Sequence, residues 1–157
     1  MRILVISDTH RVLDSVNKVI EVEKPDLILH LGDNVEDGEN ISKLFGIESI
    51  IVRGNGDFTS DYPFDRLVDL AGKRIFMTHG HRYSVRHGHM SLYYKALESS
   101  ADIVLYGHTH IPVNIREKGL IIMNPGSPTI PRQMEKIKTL GLIEINGDIK
   151  TEIIKLT

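Results

Sequence analysis

The chain has 157 residues, 41% of them hydrophobic and 25% charged, and no cysteine, which excludes a disulfide framework, a thiolate metal site and a cysteine nucleophile. Its 19 Lys and Arg against 21 Asp and Glu leave a net charge of −2 without a basic tail, so duplex nucleic acid is not an expected partner. This length predicts one domain over 1–157 that buries roughly 68–70% of the surface of its unfolded chain.

The first element is the β-branched run 2–7, a strand apolar enough to be buried on both faces. It ends at once in Asp8 and lacks the longer core and cleavage site of a signal peptide. No stretch approaches the ~20 apolar residues of a membrane-spanning helix. A cytoplasmic protein with no membrane partner is the expectation. Leu13, Val16 and Ile20, joined by Val12 and Val19, recur at helical spacing before the stop Lys24-Pro25-Asp26. Strands follow at 27–31 and 48–52, separated by a helix over about 36–45 with Ile41, Leu44 and Phe45 on its buried side and Gly46 at its end. A third helix is expected over about 88–99, using Met90, Tyr93, Tyr94 and Leu97. After Gly107 come extended segments at 112–117, 120–124, 138–145 and 149–156, with Lys118-Gly119 and Asn146-Gly147 as hairpin turns. Strand-helix alternation followed by consecutive strands predicts an α/β protein with two sheets packed face to face and helices outside.

Five short clusters interrupt this pattern: Ser7-Asp8-Thr9-His10, Leu31-Gly32-Asp33-Asn34, Arg53-Gly54-Asn55-Gly56-Asp57, Thr78-His79-Gly80-His81 and Tyr106-Gly107-His108-Thr109-His110. Side chains just past Ile6, Leu31, Val52, Met77 and Tyr106 lie at the carboxyl ends of apolar runs, where open α/β sheets place ligands. The two-residue spacings Asp8/His10 and His108/His110 direct both side chains to one side if the chain there is extended. Taken singly, each residue has an ordinary reading as a capping Asp, a turn Asn or a core histidine. Together they form a set of oxygen and nitrogen ligands suited to Mn²⁺, Fe²⁺, Co²⁺, Ni²⁺ or Zn²⁺ rather than to Mg²⁺ or Ca²⁺.

In order and spacing the five clusters resemble the calcineurin-like metallophosphoesterases, and most closely the small YfcE-like phosphodiesterase branch; the resemblance spans Arg2 to about Ser127. It implies a four-layer α/β/β/α sandwich of two mixed sheets and a binuclear metal centre. Asp8, His10, Asp33 and His110 would hold the first ion and Asp33, Asn55, His79 and His108 the second, with Asp33 as bridge and Mn²⁺ as first choice by family analogy. Two such ions ~3.5–4 Å apart would share a hydroxide, the expected nucleophile. Two divalent ions, two aspartates and that hydroxide leave about one positive charge for an anionic substrate.

Many members of the wider superfamily carry Gly-Asn-His-Glu at the third motif, where the histidine protonates the leaving group. Here Gly56 stands in that place. A missing proton donor removes ~10²–10⁴-fold in rate and hurts poor leaving groups most. The expected activity is therefore hydrolysis of small phosphodiesters, with a phosphomonoesterase as the alternative enzyme. A non-catalytic protein-binding scaffold, as in the retromer subunit that resembles this branch, is the alternative of another class. His81 is the candidate to contact the phosphate or leaving group, beside Asp33 and Asn55 as catalytic positions. The polar stretch Arg82, Arg86, His87 and His89 reads as a solvated loop, and His30 as a packed or hydrogen-bonded histidine. Arg53 and Asp57 are expected to orient neighbours of Asn55, Asn124-Pro125-Gly126-Ser127 resembles a loop that closes the site, and the glycines at 32, 54, 80 and 107 are expected to turn the backbone. A homodimer is kept as a candidate state.

Overall fold

The computed structural model describes residues 1–157 and contains ten strands and three α-helices. In chain order these are β1 (Arg2–Ile6), α1 (Asp14–Glu23), β2 (Leu27–His30), α2 (Val35–Phe45), β3 (Ser49–Ile51), β4 (Asp65–Leu70), β5 (Lys73–Thr78), α3 (Met90–Ser99), β6 (Ile103–Leu105), β7 (Val113–Glu117), β8 (Leu120–Asn124), β9 (Thr139–Asn146) and β10 (Asp148–Lys155). Two short 3₁₀ turns, His81–Tyr83 and Val85–His87, join β5 to α3.

The strands form two mixed five-stranded sheets, ordered β10-β9-β1-β2-β3 and β4-β5-β6-β8-β7. β1, β2 and β3 run parallel, as do β5, β6 and β8, while hairpins form three of the four sheet edges and β3 the fourth. Because side chains alternate along a strand, each buried strand serves two cores. Ile3 and Val5 face inward with Leu27, Leu29, Ile75, Met77, Ile103 and Met123 between the sheets. Leu4 and Ile6 face outward against Val16 and Ile20 of α1 and Ile41 of α2. On the far side Phe76, Val104 and Ile122 pack on Leu92 and Ala96 of α3. The layers are therefore α/β/β/α, as the resemblance implied. No helix is long and apolar enough to cross a membrane.

Three expectations need correction. The β4–β5 hairpin, turned at Ala71 and Gly72 with φ of 48° and 77°, was not anticipated beyond the strand end at Met77, because the partly exposed β4 lacks an apolar run. Leu44 is 67% exposed, so α2 is buried instead through Val35, Gly38 and Ile41. Met90, Tyr94 and Leu97 also face solvent, and α3 packs through Leu92 and Ala96. In both helices the choice of face falls to the sheet behind it, since their composition supplies apolar residues on more than one side.

Candidate metal centre

The parallel strands of both sheets end at one edge, and the five clusters occupy the loops that leave it. Asp8 and His10 follow β1, Asp33 follows β2, Asn55 lies beyond β3, His79 directly follows β5, and His108 and His110 lie beyond β6. The loops are not extended, contrary to the expectation from the two-residue spacings. Asp8, His10, Asp33, His108 and His110 all adopt left-handed backbone, with φ of 55°, 47°, 56°, 66° and 59°. Such a conformation costs ~1–2 kcal/mol for a non-glycine residue and is least unfavourable for Asn, Asp and His. Strain concentrated on five candidate ligands marks a site that the surrounding structure holds in place.

That bracing is visible in hydrogen bonds. The buried Asp57 carboxylate accepts the main-chain N–H groups of Asp33 (2.9 Å), Asn34 (2.8 Å), Val35 (3.0 Å) and Gly54 (2.8 Å). It caps α2 and ties the Asp33 loop to the Asn55 loop. Arg53 does not pair with it; its guanidinium lies 4.0 Å from the Phe64 ring and donates to the Ser60 carbonyl. Ser127 Oγ and Thr129 Oγ1 donate to the Asp8 carbonyl oxygen at 2.9 and 3.1 Å, and Asn124 Nδ2 donates to the Gly107 carbonyl at 2.8 Å. The Asn124–Ser127 loop thus ties the Asp8 and Gly107 turns together. His30 is buried: Nδ1 accepts the Gly32 N–H, and Nε2 faces Thr9 Oγ1, which donates to Asp37 at 2.5 Å. Burial pushes its pKa down to about 4, which keeps it a neutral hydrogen-bonding residue.

Two of the four glycines serve close approach rather than a turn. A Cβ on Gly54 would collide with the Asp33 carboxylate, and one on Gly107 with Ser7 Oγ and Asp8 Oδ2. Gly32 and Gly80, at φ of 95° and 103°, do turn the backbone.

The side chains converge so that acceptors face acceptors. His79 Nδ1 donates to the Leu31 carbonyl at 2.7 Å, which leaves the Nε2 lone pair 3.1 Å from Asn55 Oδ1, 3.5 Å from Asp33 Oδ1 and 3.9 Å from Asp8 Oδ1. His110 Nδ1 donates to the Ile130 carbonyl at 2.7 Å, and its Nε2 lies 3.1 Å from Asp8 Oδ1. Although that distance is short, Asp8 Oδ1 has no well-aligned hydrogen-bond partner, and His10 Nε2 is likewise buried without one. Acceptors brought this close call for a positive charge between them, a proton on the imidazole or a bound ion, and a carbonyl on the other imidazole nitrogen is the usual way to aim a metal-binding histidine. Asp8, His10 and His110 form one group able to hold an ion, and Asp8, Asp33 and His79 a second. Asp8 is common to both, whereas the resemblance gives the shared place to Asp33.

The charge environment acts differently on each histidine of the cluster. Burial pushes the His108 pKa down to about 4, aided by His79 and Arg86, and lowers that of His81, aided by His79. Burial would raise the Asp8 carboxyl, but the contacts with His110 and then His79 outweigh it and hold it below its usual range. His110 responds oppositely: burial lowers it, yet the Asp8 carboxylate raises it overall. The rings of His79, His81 and His108 lie tilted or edge-on to one another, with centroids 5.2–6.1 Å apart. His81 Nδ1 is buried without a partner. Gly56, in the place of the missing proton donor, donates its N–H to Asp33 Oδ1 at 2.8 Å.

A family model described as the calcineurin-like phosphoesterase superfamily domain matches residues 1–148. The chain belongs to that superfamily. A probable metallophosphoesterase of Bacillus subtilis, YsnB, is 31% identical over 155 residues, covering 96% of this chain and 88% of that protein. The phosphodiesterase YfcE of Escherichia coli strain K12 is 27% identical over 158 residues, covering 84% and 82%. The crystal structure of a predicted phosphoesterase from Streptococcus pneumoniae TIGR4 superposes with a TM-score of 0.82 at 32% identity, covering 98% of this chain and 88% of that one. This chain is thus a metal-dependent phosphoesterase by family. Sequence reasoning missed the depth of Asp57's role and the bracing by Ser127 and Thr129. The Asn124-Pro125-Gly126-Ser127 turn was the only signal for the latter.

Proposed function

We propose that the chain hydrolyses small phosphodiesters with two divalent transition-metal ions, Mn²⁺ first among Mn, Fe, Co, Ni and Zn, in the cytoplasm. The observation that carries the reading is the aim of His79 and His110, each anchored through Nδ1 to a carbonyl with Nε2 directed at carboxylate oxygens. Asp8, His10, Asp33 and His110 would hold one ion, and Asp33, Asn55, His79 and His108 the other. When bound, such ions neutralise phosphoryl oxygens and acidify a shared water into a nucleophile.

The chain's own residues do the rest. Asp57 holds the Asp33 main chain and the Gly56 N–H holds its carboxylate, while five of the proposed ligand positions sit on left-handed turns. His81 lies beside the same cluster, its ring centroid 5.5 Å from that of His79 and 6.1 Å from that of His108, and is the residue to contact the phosphate or the departing oxygen. Without a histidine at Gly56, a diester with an acidic leaving group is the better substrate.

The test uses metal-stripped protein with and without Mn²⁺, assayed on bis-p-nitrophenyl phosphate and p-nitrophenyl phosphate, with bound metal counted by elemental analysis. Two ions per chain and Mn²⁺-dependent preference for the diester are expected. Preference for the monoester would replace the reading with a phosphomonoesterase. Two bound ions with neither ester cleaved would sink it in favour of a protein-binding scaffold.

A further inference from the structure

Two grooves are lined by sequence neighbours of the candidate ligands, one by Asn34 and Gly56 and the other by Thr109, and they differ in charge. One, of about 790 Å³, has four carboxylates in its lining, Glu36, Glu39, Asp57 and Asp61, against Arg11 and Arg66. The other, of about 440 Å³, opens beside the His108–His110 turn and contains no carboxylate. Val85, Ile111 and Val113 supply its apolar lining, the buried Tyr106 adds an aromatic ring, and Arg86 and Arg132 are its charged residues.

This second groove is built rather than incidental. His89, in the stretch that reads from sequence as a solvated loop, lies with Nε2 2.6 Å from the Tyr106 hydroxyl and pins the 85–89 segment to the strand end that carries His108. Arg132 donates its main-chain N–H to the His110 carbonyl at 3.2 Å, so the opposite wall is tied to the other ligand turn. Arg86 and Arg132 thus line the same groove as the apolar residues, beside the His108–His110 turn.

We infer that this slot binds a nucleoside-like arm of the substrate that carries a second anionic group, its scissile diester lying at the metal ligands. The inference rests on the diesterase reading and names its substrate class. A slot lined by Val85, Ile111 and Val113 suits the apolar faces of a flat heterocycle. Two guanidinium groups suit a phosphate, which they can engage with paired N–H donors. A binuclear site already retains about one positive charge for the diester. Arg86 and Arg132 add two more, an excess that a singly charged diester does not use. The carboxylates of the larger groove would repel a second phosphate, so that groove takes the uncharged arm.

The experiment titrates the full chain, with and without Mn²⁺, with thymidine 3′,5′-bisphosphate and with thymidine 5′-phosphate in a calorimeter. Wild type should bind the bisphosphate at least about 10-fold more tightly, the size expected for charge-assisted contacts, and the preference should shrink as salt is raised. The double variant Arg86→Ala/Arg132→Ala, changed only at exposed side chains, should bind both equally. Val113→Trp, which fills the slot, should weaken both, whereas Arg66→Ala in the other groove should keep the preference. The same ratio should appear in KM for the p-nitrophenyl ester of thymidine 5′-phosphate with and without a 3′-phosphate. Equal affinity in wild type, or a preference that survives the double variant, would overturn the inference even if bis-p-nitrophenyl phosphate is cleaved. A preference abolished by the double variant in a protein that cleaves no diester would instead overturn the diesterase reading and leave the slot standing.

Discussion

Asp8, His10 and His110 share a conflict between stability and use. His10 has left-handed backbone at φ 47° and a buried Nε2 with no partner, so it is costly in the metal-free chain. His10→Gly relieves the backbone cost, worth about 1 kcal/mol, and removes the orphaned nitrogen. Metal-free His10→Gly is therefore expected to melt at the same temperature as wild type or higher, while Mn²⁺ affinity drops; a lower Tm together with unchanged affinity would contradict this assignment. His30 carries a different cost. Its pKa in the folded chain lies near 4 while the unfolded chain titrates near 6.5, so above pH 6.5 it costs nothing. As pH falls below 6.5 the unfolded state takes up the proton first, and stability declines until about pH 4, by on the order of 3 kcal/mol. Urea midpoints of metal-free protein at pH 7 and 4.5 should separate more in wild type than in His30→Gln, and parallel behaviour would rule out His30 as the source.

Between elements, Asp57 is the residue on which the site's geometry most depends. One carboxylate satisfies four main-chain donors, two of them at the start of α2 and one each on the turns that present Asp33 and Asn55. Removing a buried acceptor of this kind leaves N–H groups unpaired at ~1–3 kcal/mol each, reduced where water can enter. Asp57→Ala should lower stability by about 2–4 kcal/mol in urea titration and weaken metal binding, although Asp57 itself is not proposed as a ligand. Metal affinity at the wild-type level in a folded Asp57→Ala protein would show that the Asp33 and Asn55 turns hold their shape without it. The helices show the limits of pattern reading in the same way. The apolar stripe of α2 is read correctly at Ile41 and wrongly at Leu44, and that of α3 wrongly at Met90, Tyr94 and Leu97. A helix with apolar residues on two sides is oriented by the sheet it meets, which periodicity alone does not describe.

Across the fold, ten strands in two sheets bring ligand positions as far apart as Asp8 and His110 into contact. Ions that bind this arrangement and not the unfolded chain should stabilise the entire domain, by about 2.7 kcal/mol when free Mn²⁺ is 100-fold above its dissociation constant. A thermal scan should show Tm rising with Mn²⁺ and returning on chelation. An unchanged Tm at saturating metal would contradict a site assembled by the tertiary fold.

The strand-helix alternation of the first half, the layer architecture and the five clusters of candidate ligands were legible in the sequence. Burial on both faces leaves unbroken β-branched runs, and the metal chemistry demands Asp, Asn and His at strand ends. The β4–β5 hairpin was not legible, because a half-exposed edge strand need not be apolar. Nor was the left-handed geometry of Asp8, His10, Asp33, His108 and His110, which local preference disfavours and which distant hydrogen bonds from Asp57, Ser127 and Thr129 accompany. The arginine-flanked slot beside His108 likewise came only from the fold. Arg86 and Arg132 lie 46 positions apart, and only the loops before α3 and β9 bring them to the two walls of one groove.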